Sequence, residues 1–397
     1  MDTHGIGARV RMVRNARGLS IRTLADLAGI SKSVLHEYEV GDRPLERLSD
    51  IDALSIPLGV SRDWLLGRPA DPTSPAHADG HDRAARLRAA LIDTELNIGP
   101  DHDRRPLPIL VDAADDLWRT HMSGDITTSA RRAPDILTEL HSWTVNGDDQ
   151  EQTTAGRAFV VACAAAGAVA KWLGFLDLAW TAATQGRRAA VAVADPVLTG
   201  FAEFCCSHAL APYSRAYANS VQALAVLQPH ASDTPLGMQV YGMLHQMAAF
   251  GAAVTGRAAD VTAHLAEAAD LAARTGDRDD LALYFGPTNL DVWRVSIAVE
   301  QGEGGRAAEI ARKVDVRAMP STGRQATFYA DLGRGFAQER RDGQALNAFL
   351  TSERLSPDWT HENPLVREAT EGILRRAVRA STSAELRSFA RRVGTLP

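Results

Sequence analysis

The chain has 397 residues, 45% of them hydrophobic, and a net charge of −6. That length is too great for one ordinary core, and that composition is too apolar for disorder, so two or more folded domains are expected. The acidic balance excludes a uniformly basic coat, and any nucleic-acid contact must be local.

In chain order, IGARVRMVRNARG at 6–18 predicts a first helix with Ile6, Val10 and Val13 on one side and Arg9, Arg11, Arg14 and Arg17 on the others. The stretch 20–41, SIRTLADLAGISKSVLHEYEVG, reads as two short helices joined by a tight turn. Ser20 caps the first of these, whose inward residues are Leu24, Ala25 and Leu27, and Gly29 takes the turn. Ser31 caps the second, with Leu35 and Tyr38 inward and Lys32, Ser33, His36 and Glu37 outward. A further helix buries Leu45, Leu48, Ile51 and Leu54, and a last one after Ser61 lets Trp64 and Leu65 close the core. Two helices crossing at a glycine turn are a helix-turn-helix unit, whose second helix enters the DNA major groove.

The spaced pieces VRMVRNARGLS, LADLAGIS, EYEVGDRP and LGVSRDWLLG resemble the phage-repressor (Xre-type) helix-turn-helix family over about 6–67. That family often places Gln at the start of the second helix, where this chain has Ile21, so less direct base contact is expected from that helix.

Charge placement points to DNA independently. Between 9 and 36 there are six basic residues (Arg9, Arg11, Arg14, Arg17, Arg22, Lys32) against Asp26 alone, and between 37 and 63 seven acids face three arginines. A basic face backed by an acidic one attracts phosphate without general stickiness. Lys32, Ser33 and Glu37, with His36 on the same outward side, are the expected base readers. Arg14, Arg22, Arg43 and Arg47 are the expected phosphate clamps.

Residues 68–82, RPADPTSPAHADGHD, cannot bury a core and read as a flexible tether. Its His77, His81, Asp79 and Asp82 read as solvated groups, and no metal site or cofactor is expected. Residues 83–103 carry Leu87, Leu91 and Leu96 near helical spacing and read as a connecting helix.

From 104 to 397 the pattern is helical throughout. The longest apolar stretch, 158–170, stops at Lys171 and is too short to span a bilayer, so a packed helix and no membrane are expected. Cys163, Cys205 and Cys206 lack CxxC spacing and read as buried thiols of a reducing cytoplasm. The 1–15 stretch has no apolar run of the secretory kind. Tyr329, Leu332, Gly333, Phe336, Ala345, Phe349, Ser352 and Pro357 fall at the offsets of a tetratricopeptide repeat. Upstream, Ala179, Ala216, Ala258 and Ala307 mark degenerate helix pairs.

The expected fold is therefore all-α: a five-helix DNA-binding domain at 1–67, then a large α-solenoid of tetratricopeptide-like helix pairs at 104–397. That plan is similar to the RRNPP peptide-sensing regulators and to two-part actinobacterial regulators. The resemblance implies a cytoplasmic homodimer on a double-stranded DNA operator, controlled by a peptide or small-molecule effector in the solenoid groove. Tyr241, His245, Phe285, Asn289 and Trp293 are the residues expected to meet that effector. An interaction scaffold with the helix-turn-helix as a weak anchor is the alternative. The chain has no P-loop, GxSxG or HExxH, and GEGGR at 302–306 lacks a preceding strand, so no enzyme is expected.

Overall fold

The computed structural model describes residues 5–69, 75–100, 102–210, 213–377 and 384–396, with backbone alone at 75–78. Those residues form twenty-one α-helices and no strand.

The first five helices are α1 (Ile6–Ala16), α2 (Ile21–Ala28), α3 (Lys32–Val40), α4 (Leu48–Leu58) and α5 (Arg62–Leu65). Three serines start helices by the same device. Ser20 accepts from Thr23 N at 3.0 Å, Ser31 from Val34 N at 3.2 Å and Ser61 from Trp64 N at 3.1 Å, each satisfying an otherwise orphan amide. Gly29 ends α2 at φ 67°, a left-handed conformation that would strain any residue with a Cβ. Ile6, Val10, Leu24, Leu35, Leu45, Ile51, Leu54 and Leu65 are at most 1% exposed and make the core. Leu27 is 61% exposed and Trp64 38% exposed, so neither closes that core as expected. The α2 register set by Ser20 turns Leu24 and Ala25 inward and leaves Leu27 on the flank.

The tether is shorter than 68–82, because α6 (Pro75–Glu95) takes up its second half and the whole expected connecting stretch to Glu95. Its His81 ring meets Phe175 edge-on at 5.3 Å.

Twelve helices follow in alternating layers. The odd ones are α7 (Leu107–Met122), α9 (Asp149–Trp172), α11 (Pro196–Ala209), α13 (Pro235–Val254), α15 (Pro287–Glu300) and α17 (Thr322–Gln338). The even ones are α8 (Ile126–Asn146), α10 (Leu176–Ala192), α12 (Tyr213–Leu227), α14 (Ala258–Thr275), α16 (Gly304–Ala311) and α18 (Asp342–Leu355). Each odd helix packs on the next odd helix as well as on an even partner. The odd set is thus one continuous layer and the even set a second layer behind it. Ala179, Ala216, Ala258, Ala307 and Ala345 all lie near the starts of even helices, and all but Ala258 are buried against the odd layer. In the last pair, Phe349 is fully buried beside Gly333, and Ser352 donates to Ala326 O at 2.9 Å.

The stack then closes on itself. It ends in α19 (Pro357–His361), α20 (Pro364–Ala377) and α21 (Ala384–Arg392). α17 returns to α7, and α19 returns to α8. Thr322 Oγ1 donates to Ser123 O at 2.6 Å, Ser356 Oγ to Gly124 O at 2.9 Å, and Ser321 Oγ to Met122 O. Asp358 accepts from Thr127 N at 3.0 Å. Gly323 allows this seam, since a Cβ there would sit 2.6 Å from Met122 O. The open groove expected of a solenoid is instead a ring with the odd helices inside.

α9 is long and apolar enough to cross a membrane by length and composition alone, but 78% of its apolar window is buried within this ring. Cys163, Cys205 and Cys206 are free thiols, and Cys163 and Cys206 are buried.

Candidate DNA-reading face and roofed cavity

The five-helix domain sits across one mouth of the ring. Glu368 on α20 accepts from Ile6 N and from Leu45 N, both at 3.0 Å. Glu300 at the end of α15 accepts from Leu48 N at 3.0 Å and from Arg334 at 2.7 Å, and Arg334 also reaches Glu46 O at 2.9 Å. Arg375 donates to Gly41 O at 3.0 Å, and Arg62 stacks over the Tyr213 ring at 4.8 Å. The start of α1, the α3–α4 loop, the start of α4 and α5 therefore face the ring.

That docking turns the other side outward. Lys32, Ser33 and His36 on α3 are exposed, and Glu37 is half-buried. Arg22 on α2 is exposed and only loosely near Asp26, at 4.0 Å. Arg43 is exposed and lies over the Tyr38 ring at 5.6 Å. Five of the eight expected DNA contacts thus stand exposed and a sixth, Glu37, half-buried.

Two of the expected phosphate clamps do not. Arg14 is 8% exposed, pairs with buried Glu39 at 2.5 and 2.8 Å, and donates to Leu19 O. It is an internal brace between α1 and α3, because a guanidinium on the helix side facing a buried carboxylate is drawn inward. Arg47 caps α4 and gives Nε to Glu300 O at 3.2 Å. It holds the ring, and its Nε is committed to that contact.

Beneath the docked domain lies a cavity of about 320 Å³. The ring supplies most of its wall, and Leu48, Arg62, Asp63, Leu66 and Arg68 form its roof. Trp118, Trp172, Trp293 and Trp359 line it, with Trp172 and Trp359 stacked at 4.9 Å. Arg324 lies over the Trp293 ring at 5.3 Å. Lys171 Nζ approaches His208 Nδ1 at 3.4 Å. Burial holds His208 well below the usual histidine range and takes His121 down to about 4, with Lys171 adding to both shifts. Both imidazoles are therefore neutral at pH 7, and His208 accepts from the lysine.

Of the five expected effector residues, Trp293 alone among them lines this cavity. Asn289 is fully buried behind the wall, where its Oδ1 accepts from Arg324 Nε and Nη2 at 3.1 and 2.9 Å. Phe285 is a core residue packed against Gly242, so its ring fills the space a Cβ would need. Tyr241 and His245 lie on another side of α13, where His245 meets His264 on α14 at 3.0 Å. One turn of helix separates His245 from Tyr241, which keeps the two together and both away from the ring interior.

The sequence reading missed Lys171, Arg324, Arg68, His121 and His208. A signal existed for the first: one of only three lysines in the chain ends its longest apolar run.

Comparison with known proteins agrees with the small domain. Residues 6–65 match the family described as Helix-turn-helix domain. No curated protein and no solved structure matches the chain. Residues 6–65 are therefore a helix-turn-helix DNA-binding domain carried on a much larger helical ring.

Proposed function

We propose that this protein is a sequence-specific transcription regulator whose ring senses a small effector through the roofed cavity. The observation that carries the reading is the shared wall. One part of the helix-turn-helix domain lines the cavity, while Lys32, Ser33 and His36 on α3 stand exposed to solvent. A ligand that fits the cavity only with the roof in place changes the free energy of moving the DNA reader, which is the differential interaction that coupling requires.

Lys32, Ser33, Glu37 and His36 read bases, and Arg22 and Arg43 hold phosphates. So short a set specifies few base pairs, and a homodimer on a palindromic operator supplies the rest. The scaffold reading has less support, because the surface a partner protein would occupy is taken by the chain's own first domain.

The test is selection from a pool of random duplexes. An enriched, two-fold symmetric sequence is expected. Lys32→Ala should relax base preference, whereas Arg22→Ala should weaken all sequences alike and lower the salt slope by about one. Failure of any sequence to enrich over the random pool sinks the reading.

A further inference from the structure

The cavity wall carries a charge imbalance that narrows the chemistry of its occupant. Five cationic side chains line it, Arg62, Arg68, Lys171, Arg324 and Arg334, against three carboxylates, Asp63, Glu300 and Asp331. Two of those carboxylates are already taken, since Arg334 holds Glu300 at 2.7 Å and Asp331 at 3.0 Å. Arg62 lies 3.8 Å from Asp52, behind the roof. Among the described residues, Arg68, Lys171 and Arg324 form no ion pair; Glu362 and Asp63 attract Arg68, Asp63 attracts Lys171, and Asp331, already held by Arg334, attracts Arg324, all from longer range.

Each of these three cations is oriented by a neutral acceptor. Arg324 points Nε and Nη2 at the Asn289 amide oxygen, Lys171 points Nζ at neutral His208, and Arg68 gives Nη1 to Lys171 O at 3.3 Å. Neutral acceptors fix direction without cancelling charge. Further donors around the same wall are unspent. Arg68 Nη2, Trp293 Nε1 and Trp359 Nε1 are buried with no hydrogen-bond partner among the described residues. Buried cations and buried donors are normally paired, because an unpaired one loses its hydration with nothing in return. Three cations without a close carboxylate partner around one indole-lined space are the complement of an anion with an apolar body.

We propose that the roofed cavity binds a small organic anion, an apolar ring-bearing body with a carboxylate held between Arg324, Lys171 and Arg68 and its body among the four tryptophans. A volume of about 320 Å³ suits one such molecule and sits near the lower end of small-molecule sites. Arg68 belongs to the stretch leaving the DNA-binding domain, so the carboxylate bridges roof and ring. This assignment rests on the effector reading above and adds the charge of the effector to it.

The experiment uses the full chain and a matched pair of probes, 1-naphthaleneacetate and its uncharged amide, which share one body. Calorimetric titration should give the acid a Kd at least tenfold below that of the amide. Arg324→Met and Lys171→Met should each remove that preference, with thermal melts confirming that both variants fold. Equal affinity for acid and amide, no binding of the acid at millimolar concentration, or a preference that survives both substitutions overturns the anion site. Operator affinity is then measured with each probe bound. An acid that binds as described and leaves operator affinity unchanged refutes the effector reading and leaves the anion site standing. An amide that binds as well as the acid and shifts operator affinity does the reverse.

Discussion

Lys171→Met should stabilise the ligand-free protein, the opposite of what removing a buried charged side chain usually does. Enclosure on the cavity wall lowers the ammonium from its ordinary 10.5 to about 8, with burial the largest cause and the neighbouring Arg62 and Arg68 adding to it. A lowered lysine pKa means that the fold disfavours the charged form. That lowering corresponds to about 3 kcal/mol of destabilisation at pH 7. Methionine matches the stem and removes the charge. Unfolding entropy of about 2.1 cal/mol/K per residue, over 397 residues, converts that gain to a Tm rise of about 4 °C. Between pH 8 and 10.5 the unfolded wild-type chain holds a proton on this group that the folded chain does not. Wild-type stability therefore rises through that window relative to the variant, and the gap between them closes by about pH 10.5. Scanning calorimetry of both proteins at pH 7, 8, 9 and 10 reads this directly. A variant that melts below wild type at pH 7 would show that Lys171 already has a compensating partner, and the charge imbalance would be illusory.

Three other perturbations probe the domain and its docking. Arg14→Ala should destabilise by about 3–5 kcal/mol, measured by denaturant melts, because it strands Glu39 inside the small domain; an unchanged melt with uniformly weaker DNA binding would restore Arg14 as a phosphate clamp. Glu368→Gln keeps one acceptor oxygen and sets an amide donor against a second backbone N–H, so exchange at Ile6 and Leu45 should quicken by roughly ten- to a hundredfold; unchanged protection would mean that other contacts hold the roof. Burial raises the Glu46 carboxyl to about 7 against the opposing pull of Arg334, so the folded state keeps its proton between pH 4.5 and 7 and stability falls as pH rises across that window. Glu46→Gln should flatten that slope in pH-dependent melts, and an undiminished slope would place its origin elsewhere.

The small domain was legible because its signals are local. Ser20, Ser31 and Ser61 cap helices from the residue just before them, Gly29 marks a turn by the one conformation it permits, and the apolar spacing of α1 to α4 names the core. Two of the errors there share one cause. Arg14 and Arg47 sit where the local sequence allows either outcome, and a partner far along the chain decides. Glu39 draws Arg14 in from 25 residues away, and Glu300 engages Arg47 from 253 away. The solenoid pattern was legible for a related reason, since small residues at the starts of even helices report close helix pairing. Ring closure was not, because it depends on Ser321, Thr322 and Ser356 meeting backbone carbonyls at 122–124. Serines and threonines carry no periodic signal of a contact some 200 residues distant. The cavity followed the closure out of sight, and the Asn289 amide, expected to meet a ligand, instead aims the Arg324 guanidinium.

Closure also changes what the large domain can do with a signal. An open superhelix responds to a ligand by flexing along its length, as one nearest-neighbour interface after another gives way. A closed ring has no free end, so strain introduced inside it must be taken up at the seam or at the roof. The seam is held by backbone-directed bonds from Thr322, Ser356, Asp358 and Ser321. The roof is held by Glu368 and Glu300 on amides of the small domain, with Glu46 close by and carrying a carboxyl raised to about 7. It is therefore the more adjustable of the two. A ligand whose charge bridges Arg68 to Arg324 acts across that joint, and its binding energy adds to whatever holds the DNA-binding domain in place. In a dimer, the orientation of each reading helix would then be fixed by how firmly its roof is seated, and a difference of 1.4 kcal/mol in seating is tenfold in the fraction of molecules poised to bind both half-sites.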